Sequence, residues 1–289
     1  MDYFYLISSV ALASTASVFG GFYNRRAEGR RDTDALYNLL LCGAAFVGWV
    51  VLFLTNPVFD VRVLPYAAAF GVCYVICEFG FINALRTGPV SLSTLLLNLA
   101  LIATTIWGFF FWNTEFSLFV GLGLGLVVVA LWLCLYTGRG EEKGLSLKWL
   151  FYAALAFAGN SGCAIIQRTQ VLHLGESCGN LMMACALFIG AVFCLIIYLR
   201  SDKRDTGVLV KSAGFWPVAA GLCNVLHNFT LILLANSSVV SSSVVYPCIA
   251  VGSLSITIVF SLLAFRERLR WWQWAGIACG TVAVVLLSI

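Results

Sequence analysis

Apolar runs of bilayer-spanning length, about 20 residues each, recur along the whole chain with short polar breaks between them. The pattern predicts ten membrane-crossing helices, at 3–22, 36–55, 64–85, 90–112, 116–137, 148–170, 177–199, 212–233, 238–263 and 271–289. The polar breaks are too short and too few to cover so much apolar surface in water. A signal peptide needs a basic start and a small-residue cleavage site. The opening "MDYFYLISSV" has no basic start, so the first span is expected to stay.

The two halves of this pattern resemble each other. At an offset of 142 residues, Arg26 meets Arg168, Asn38 meets Asn180, Phe46 meets Phe188 and Gly48 meets Gly190. At an offset of 150, Gly71 meets Gly221, Cys73 meets Cys223, Phe79 meets Phe229, Ser91 meets Ser241 and Ser93 meets Ser243. The order is kept, and the offset changes only at loops, which argues for five spans duplicated. Five is odd, so the second copy enters the membrane upside down. The expected fold is an all-α polytopic membrane protein, ten transmembrane helices arranged as two inverted five-helix repeats. Residues 1–138 form the first repeat, 139–147 a linker, and 148–289 the second, inverted repeat. Inverted repeats about a pseudo-two-fold axis in the membrane plane are a transporter architecture.

Composition agrees: 61% of residues are hydrophobic and 10% charged, against roughly 45–50% and about 25% in soluble domains. The 11 cysteines lie almost all within spans and none forms CxxC. They read as small apolar packing residues, not as a disulfide framework or metal site. Position matters more than net charge. Fifteen of the 17 Lys and Arg fall in odd-numbered loops, and only Arg62 and Arg168 in even ones. Basic residues accumulate on the cytoplasmic side, so odd loops are expected to face the cytoplasm and both termini to lie outside. This placement offers nothing for nucleic acid. The expected partners are the lipid bilayer and a small-molecule substrate, in a monomer or homodimer in the plasma membrane.

Of 13 acidic residues, only Glu78 lies well inside a span. A charge near the bilayer centre costs at least about 2.5–3.5 kcal/mol on insertion scales, so such a residue is a functional candidate by default. Tyr74 lies one turn earlier on the same face. The repeat maps Tyr74 to Asn224 and Glu78 to Asn228, placing polar groups at i and i+4 on equivalent helices. His227 adjoins Asn228 and is the only histidine within a span. Glu78 and His227 together offer a route for a proton. Ser91, Thr94, Asn98 and Thr105 form a polar stripe on span four, with Asn98 its strongest member because its amide demands partners in lipid. Asn160 and Gln167, seven apart, share a face of span six. Trp107, Tyr246 and Trp49 are candidate cavity aromatics, whose faces suit an organic cation. The glycines of "GLGLG" and "GIACG" read as helix-packing positions. No GxxxxGK[ST] loop occurs, so no ATP-driven mechanism and no cofactor are expected.

"ERLRWWQWAGIACGTVAVVLL" (267–287) resembles the closing motif of EamA-type members of the drug/metabolite transporter superfamily. "ALRTGPVSLSTLLLNLA" and "LLANSSVVSSSVVYPCIAV" resemble that family's spans four and nine, with Pro247 at the usual proline and Leu97 where the first copy would carry one. The resemblance implies a ten-helix basket with a central cavity, moving small metabolites by secondary transport. It implies termini in the cytoplasm, opposite to the charge count. It implies a substrate such as an amino acid, an amine or a related solute, bound by the polar residues above, with protons as the candidate coupling ion. The competing class is a membrane-embedded enzyme acting on lipid or a lipid-linked substrate. Its sole candidate pair is His173 with Glu176.

Overall fold

The computed structural model describes residues 2–28, 30, 33–112, 117–135, 146–201, 205–235, 242–266 and 269–287. Among them are twelve α-helices, two 3₁₀ turns and no strand. The helices are α1 (Asp2–Arg26), α2 (Thr33–Thr55), α3 (Leu64–Thr87), α4 (Val90–Asn98), α5 (Leu101–Phe111) and α6 (Leu118–Leu135). They continue with α7 (Leu147–Leu174), α8 (Gly179–Arg200), α9 (Thr206–Ala213), α10 (Phe215–Ala235), α11 (Ser242–Leu263) and α12 (Trp271–Leu287). Each predicted span holds a helix or a broken pair of helices. The linker predicted at 139–147 falls mostly outside the described residues.

Two spans are broken, for different reasons. The fourth divides into α4 and α5 around Leu99 and Ala100. Backbone carbonyls in a membrane need partners, and at the break two have one from the backbone and one from α7. Leu97 O accepts from Ala100 N (3.3 Å) and from Asn160 Nδ2 of α7 (3.0 Å), and Ala100 O from Thr104 N (3.4 Å) and from Ser161 Oγ of α7 (3.4 Å). The other break bends α9 against α10 by 58°. Pro217 explains it, since its ring lacks an N–H and clashes with the carbonyl four residues earlier, at Ala213.

Five helical segments are long and apolar enough to cross a membrane: Tyr3–Arg26, Thr33–Thr55, Val61–Thr87, Leu147–Leu174 and Gly179–Arg200. The bent pair α9–α10 makes a sixth if counted as one span. Large apolar side chains stand exposed on them, including Val47, Val51 and Leu54 of α2 and Phe188, Phe193 and Ile196 of α8. Such a surface suits lipid, where apolar side chains lose nothing by facing outward. The chain has the makings of a helical membrane protein.

Helix contacts rest on small residues, as expected where lipid gives helices no hydrophobic reason to associate. The most extensive pairings are α3 with α7, α6 with α12, α1 with α10 and α2 with α8, followed by α3 with α8, α2 with α10 and α1 with α11. A Cβ on Gly71 of α3 would lie 2.6 Å from Ala186 O of α8, and one on Gly221 of α10 would lie 2.4 Å from Leu41 O and 3.1 Å from the Ala44 Cβ of α2. Gly48 packs on Val225, and Gly190 faces Val75. Phe46 and Phe188 meet directly, ring centroids 5.5 Å apart.

The loops sort to two ends of the bundle. At one end Arg25 donates to Ala264 O, Arg26 to Ser212 O, and Arg86 to Thr33 Oγ1, tying together the first, third, seventh and ninth connections. At the other, Tyr66 bonds His173 at 2.7 Å and Asn180 reaches Leu52 O at 3.5 Å, joining the second and sixth.

Candidate functional site

Glu78 sits in the fourth turn of α3, half-buried. Tyr37 and Cys42 of α2, Tyr74 and Cys77 of α3, and Cys163 of α7 are the ionisable groups close enough to feel its charge. No arginine or lysine faces it in an ion pair among the described residues; the ion pair described there is Arg62–Asp60. Tyr74 stacks on Phe70 (6.1 Å, 14°), and this fixes its ring. Its buried hydroxyl lies near Glu78 but completes no hydrogen bond. An unsatisfied buried donor costs about 1–3 kcal/mol. Trp49 Nε1 and both amide atoms of Asn38 are likewise buried without partners. Buried polar atoms without a partner are uncommon in folded proteins.

On α10, Asn228 Nδ2 donates to Asn224 O (2.8 Å) and lies 3.4 Å from Asn224 Oδ1. The i and i+4 side chains are thus in contact along α10. No described hydrogen bond joins them to Glu78. Both α3 and α10 instead pack on α1 and on α2. His227 Nδ1 lies 2.9 Å from Ser9 Oγ and 3.1 Å from Ser9 O, both on α1. Nδ1 donates to Ser9 O in one tautomer and accepts from Ser9 Oγ in the other. His227 is engaged with α1, not with Glu78.

The remaining predicted residues scatter. Asn98 ends α4, half-buried at the break. Asn160 is used in capping that break. Gln167 is exposed on α7. Trp107 stacks on Phe111 at 4.1 Å and is 39% exposed, which favours packing or lipid contact. The side chains of Tyr246 and Thr105 lie outside the described residues, as does that of Glu176. Thr94 donates to Ser17 Oγ (2.8 Å), so this member of the stripe joins helices, as does Ser93 beside it, which accepts from Trp149 Nε1 (2.9 Å). His173 bonds Tyr66, without a described carboxylate at hand for acid–base chemistry.

Tyr37, Cys42 and Ser9 were not singled out by sequence. Tyr37 and Ser9 leave no signal beyond a polar atom in an apolar run. Asn38 was visible only as a repeat match to Asn180.

No family model matches the chain, and no curated protein matches it. A solved structure is similar in fold: it aligns over 96% of this chain and 96% of its own, with a TM-score of 0.53 at 12% identity. The likeness is one of architecture alone. Fold and surface together define an all-helical protein with helices fit to cross a bilayer.

Proposed function

We propose that the chain is a secondary transporter of the plasma membrane, moving a small polar or amphipathic metabolite by alternating access. Ten spans in two inverted halves form its frame. The observation that carries this reading is the pairing of equivalent contacts. Gly48 on Val225 has its counterpart in Gly190 facing Val75. The offsets of 142 and 150 residues exchange one pair for the other. Gly71 on Ala186 and Gly221 beside Ala44 exchange in the same way. Phe46 meets its own equivalent, Phe188, as residues on a two-fold axis do. At helix level the exchange turns α1–α10 into α7–α3 and α2–α10 into α8–α3, and each of these pairs is in contact. Two halves so related support a pair of states of similar energy, one open to each side.

In this reading Glu78 binds a proton or the cationic group of an amino acid or amine. Tyr74 donates to its carboxylate, and Asn224 and Asn228 orient the solute from the equivalent helix. The resemblance of 267–287 to EamA-type transporters agrees with this assignment. Among the described residues no carboxylate stands beside His173, whose partner there is Tyr66.

The test is Glu78→Gln in proteoliposomes. The variant should fold, elute as the native protein does, and lose pH-dependent uptake of amino acids and amines that the native protein transports. Normal transport with normal pH dependence in the variant would reduce Glu78 to a structural hydrogen-bonding residue.

A further inference from the structure

Exchange of the two halves sorts the helix contacts into three kinds. A contact between equivalent residues is carried into itself. Phe46–Phe188 is of this kind, with ring centroids 5.5 Å apart. On one side of it Cys42 Sγ lies 3.8 Å from Cys194 Sγ, and on the other Asn180 reaches Leu52 O at 3.5 Å. The pairing of α2 with α8 is thus packed on both sides of the axis.

Contacts of the second kind have a counterpart that is also made. They include α1–α10 with α7–α3, and α2–α10 with α8–α3.

Contacts of the third kind have none. At the end gathered around Arg25 and Arg86, the last turns of α3 are held by both helices that precede it. Asn24 Nδ2 of α1 donates to Ile82 O at 2.9 Å, and a Cβ on Gly20 of α1 would lie 2.7 Å from Leu85 Cδ1. From α2, Asp34 Oδ2 accepts from Asn83 Nδ2 at 3.2 Å, and Thr33 Oγ1 accepts from Arg86. Exchange turns α3 on α1 and α2 into α10 on α7 and α8. Among the described residues α3 packs on both α1 and α2, whereas α10 packs closely on neither α7 nor α8. The two closures belong to opposite ends. α3 finishes beside Thr33, at the basic end, while α10 begins near Ser212 at that end and finishes at the other.

Two states related by this exchange share contacts of the first kind and differ in the third. We propose, on the inverted-repeat transporter reading above, that this structure is the state closed at the basic end. The opposite state closes α10 onto α7 and α8 in place of α3 onto α1 and α2, and the α2–α8 pair is the hinge that opens in neither. Glu78 lies on α3 about one to two turns before Ile82–Arg86, so the swing of that helix carries the carboxyl with it.

The experiment measures distances in the full-length protein in phosphatidylcholine nanodiscs by pulsed electron spin resonance. Spin labels are attached through non-canonical amino acids, which leaves the native cysteines in place. The pairs are Glu28 with Thr87 across the basic end, Leu172 of α7 with Phe229 of α10, and Val51 of α2 with Ile196 of α8. In the native protein a short first distance and a long second one should dominate. Asn24→Ala and Asn83→Ala each remove a hydrogen bond from the closure at the basic end. Each should raise the long Glu28–Thr87 population about threefold or more, the scale of one hydrogen bond. The short Leu172–Phe229 population should rise in step. Val51–Ile196 should keep one unchanged distance in all three proteins. A Val51–Ile196 distance that shifts or splits overturns the proposal. So do end distances that lengthen or shorten together, or that stay unmoved in both variants. The Glu78→Gln assay tests the transporter separately. Reciprocal distances in a protein that moves no solute refute the transporter and leave the hinge standing. Transport with a moving α2–α8 pair refutes the hinge alone.

Discussion

At the scale of the residue, glycine decides how closely the helices approach. A Cβ on Gly159 of α7 would lie 2.5 Å from Cys77 N of α3, and one on Gly80 of α3 would lie 2.6 Å from Ala156 N of α7. Both obstacles are backbone, which cannot swing aside as a side chain can. Gly80→Ala and Gly159→Ala are therefore expected to destabilise the protein by about 1–3 kcal/mol each, the usual cost of overpacking. Thermal unfolding in detergent checks this, with Gly43→Ala as a control, because a Cβ there meets nothing within 4 Å. The residue scale is also where sequence reading was most uneven. Glu78 stood out because a carboxylate in an apolar run needs a reason. Asn160 stood out for the same reason, yet its partner is the Leu97 carbonyl at a helix break. Nothing in "LLLNLALIA" marks that break by glycine or proline, so the sequence could not separate a cap from a ligand.

At the scale of the element, helix positions were the most legible part of the chain. Lengths of apolar runs locate α1, α2, α3, α7 and α8 because each must match a bilayer. Neither break is in the ten-span pattern: the predicted span 212–233 runs across the bend, although Pro217 carries a signal for it. Faces were hidden: Tyr37 lies beside Glu78 only because α2 packs on α3 with that side inward. The connection between α2 and α3 shows a local device that the sequence does contain. Asp60 accepts from Arg62 N (2.9 Å) to cap the turn Val61–Val63, and Arg62 Nη2 closes on Asp60 Oδ2 at 2.7 Å. The Arg62 hydrogen bonds hold the Asp60 carboxyl below its ordinary range. A carboxyl lowered in the folded state stabilises above its unfolded pKa, about 3.9. It loses that contribution as pH falls through the lower folded value. Amide exchange of Val61–Val63, corrected for intrinsic rate, should therefore rise as pH falls from 5 to 3. Asp60→Asn should exchange faster at pH 5 and lose that pH dependence. Unchanged exchange in the variant would mean the backbone holds the turn without its cap.

At the scale of the whole molecule, the distribution of charge makes a claim about direction. The contacts that join Arg25 to Ala264, Arg26 to Ser212 and Arg86 to Thr33 gather four odd-numbered connections at one end. The same end carries Arg30 and Lys211, whereas the end joined by Tyr66–His173 has Arg62, already paired with Asp60. The asymmetry is thus a property of two opposite faces of the bundle, and not only of a count along the chain. Translocating a basic connection is disfavoured, so the basic face is expected in the cytoplasm. The chain begins and ends on helices whose other ends enter that face: α1 reaches it at Arg26 and α12 leaves it at Trp271. Both termini are then expected outside. A reporter that is active only in the cytoplasm, fused after Ile289, should stay silent, while the same reporter inserted after Ser201 should be active. Activity after Ile289 with silence after Ser201 would mean that the arginines face outward. The EamA-like habit of cytoplasmic termini would then hold despite the charge.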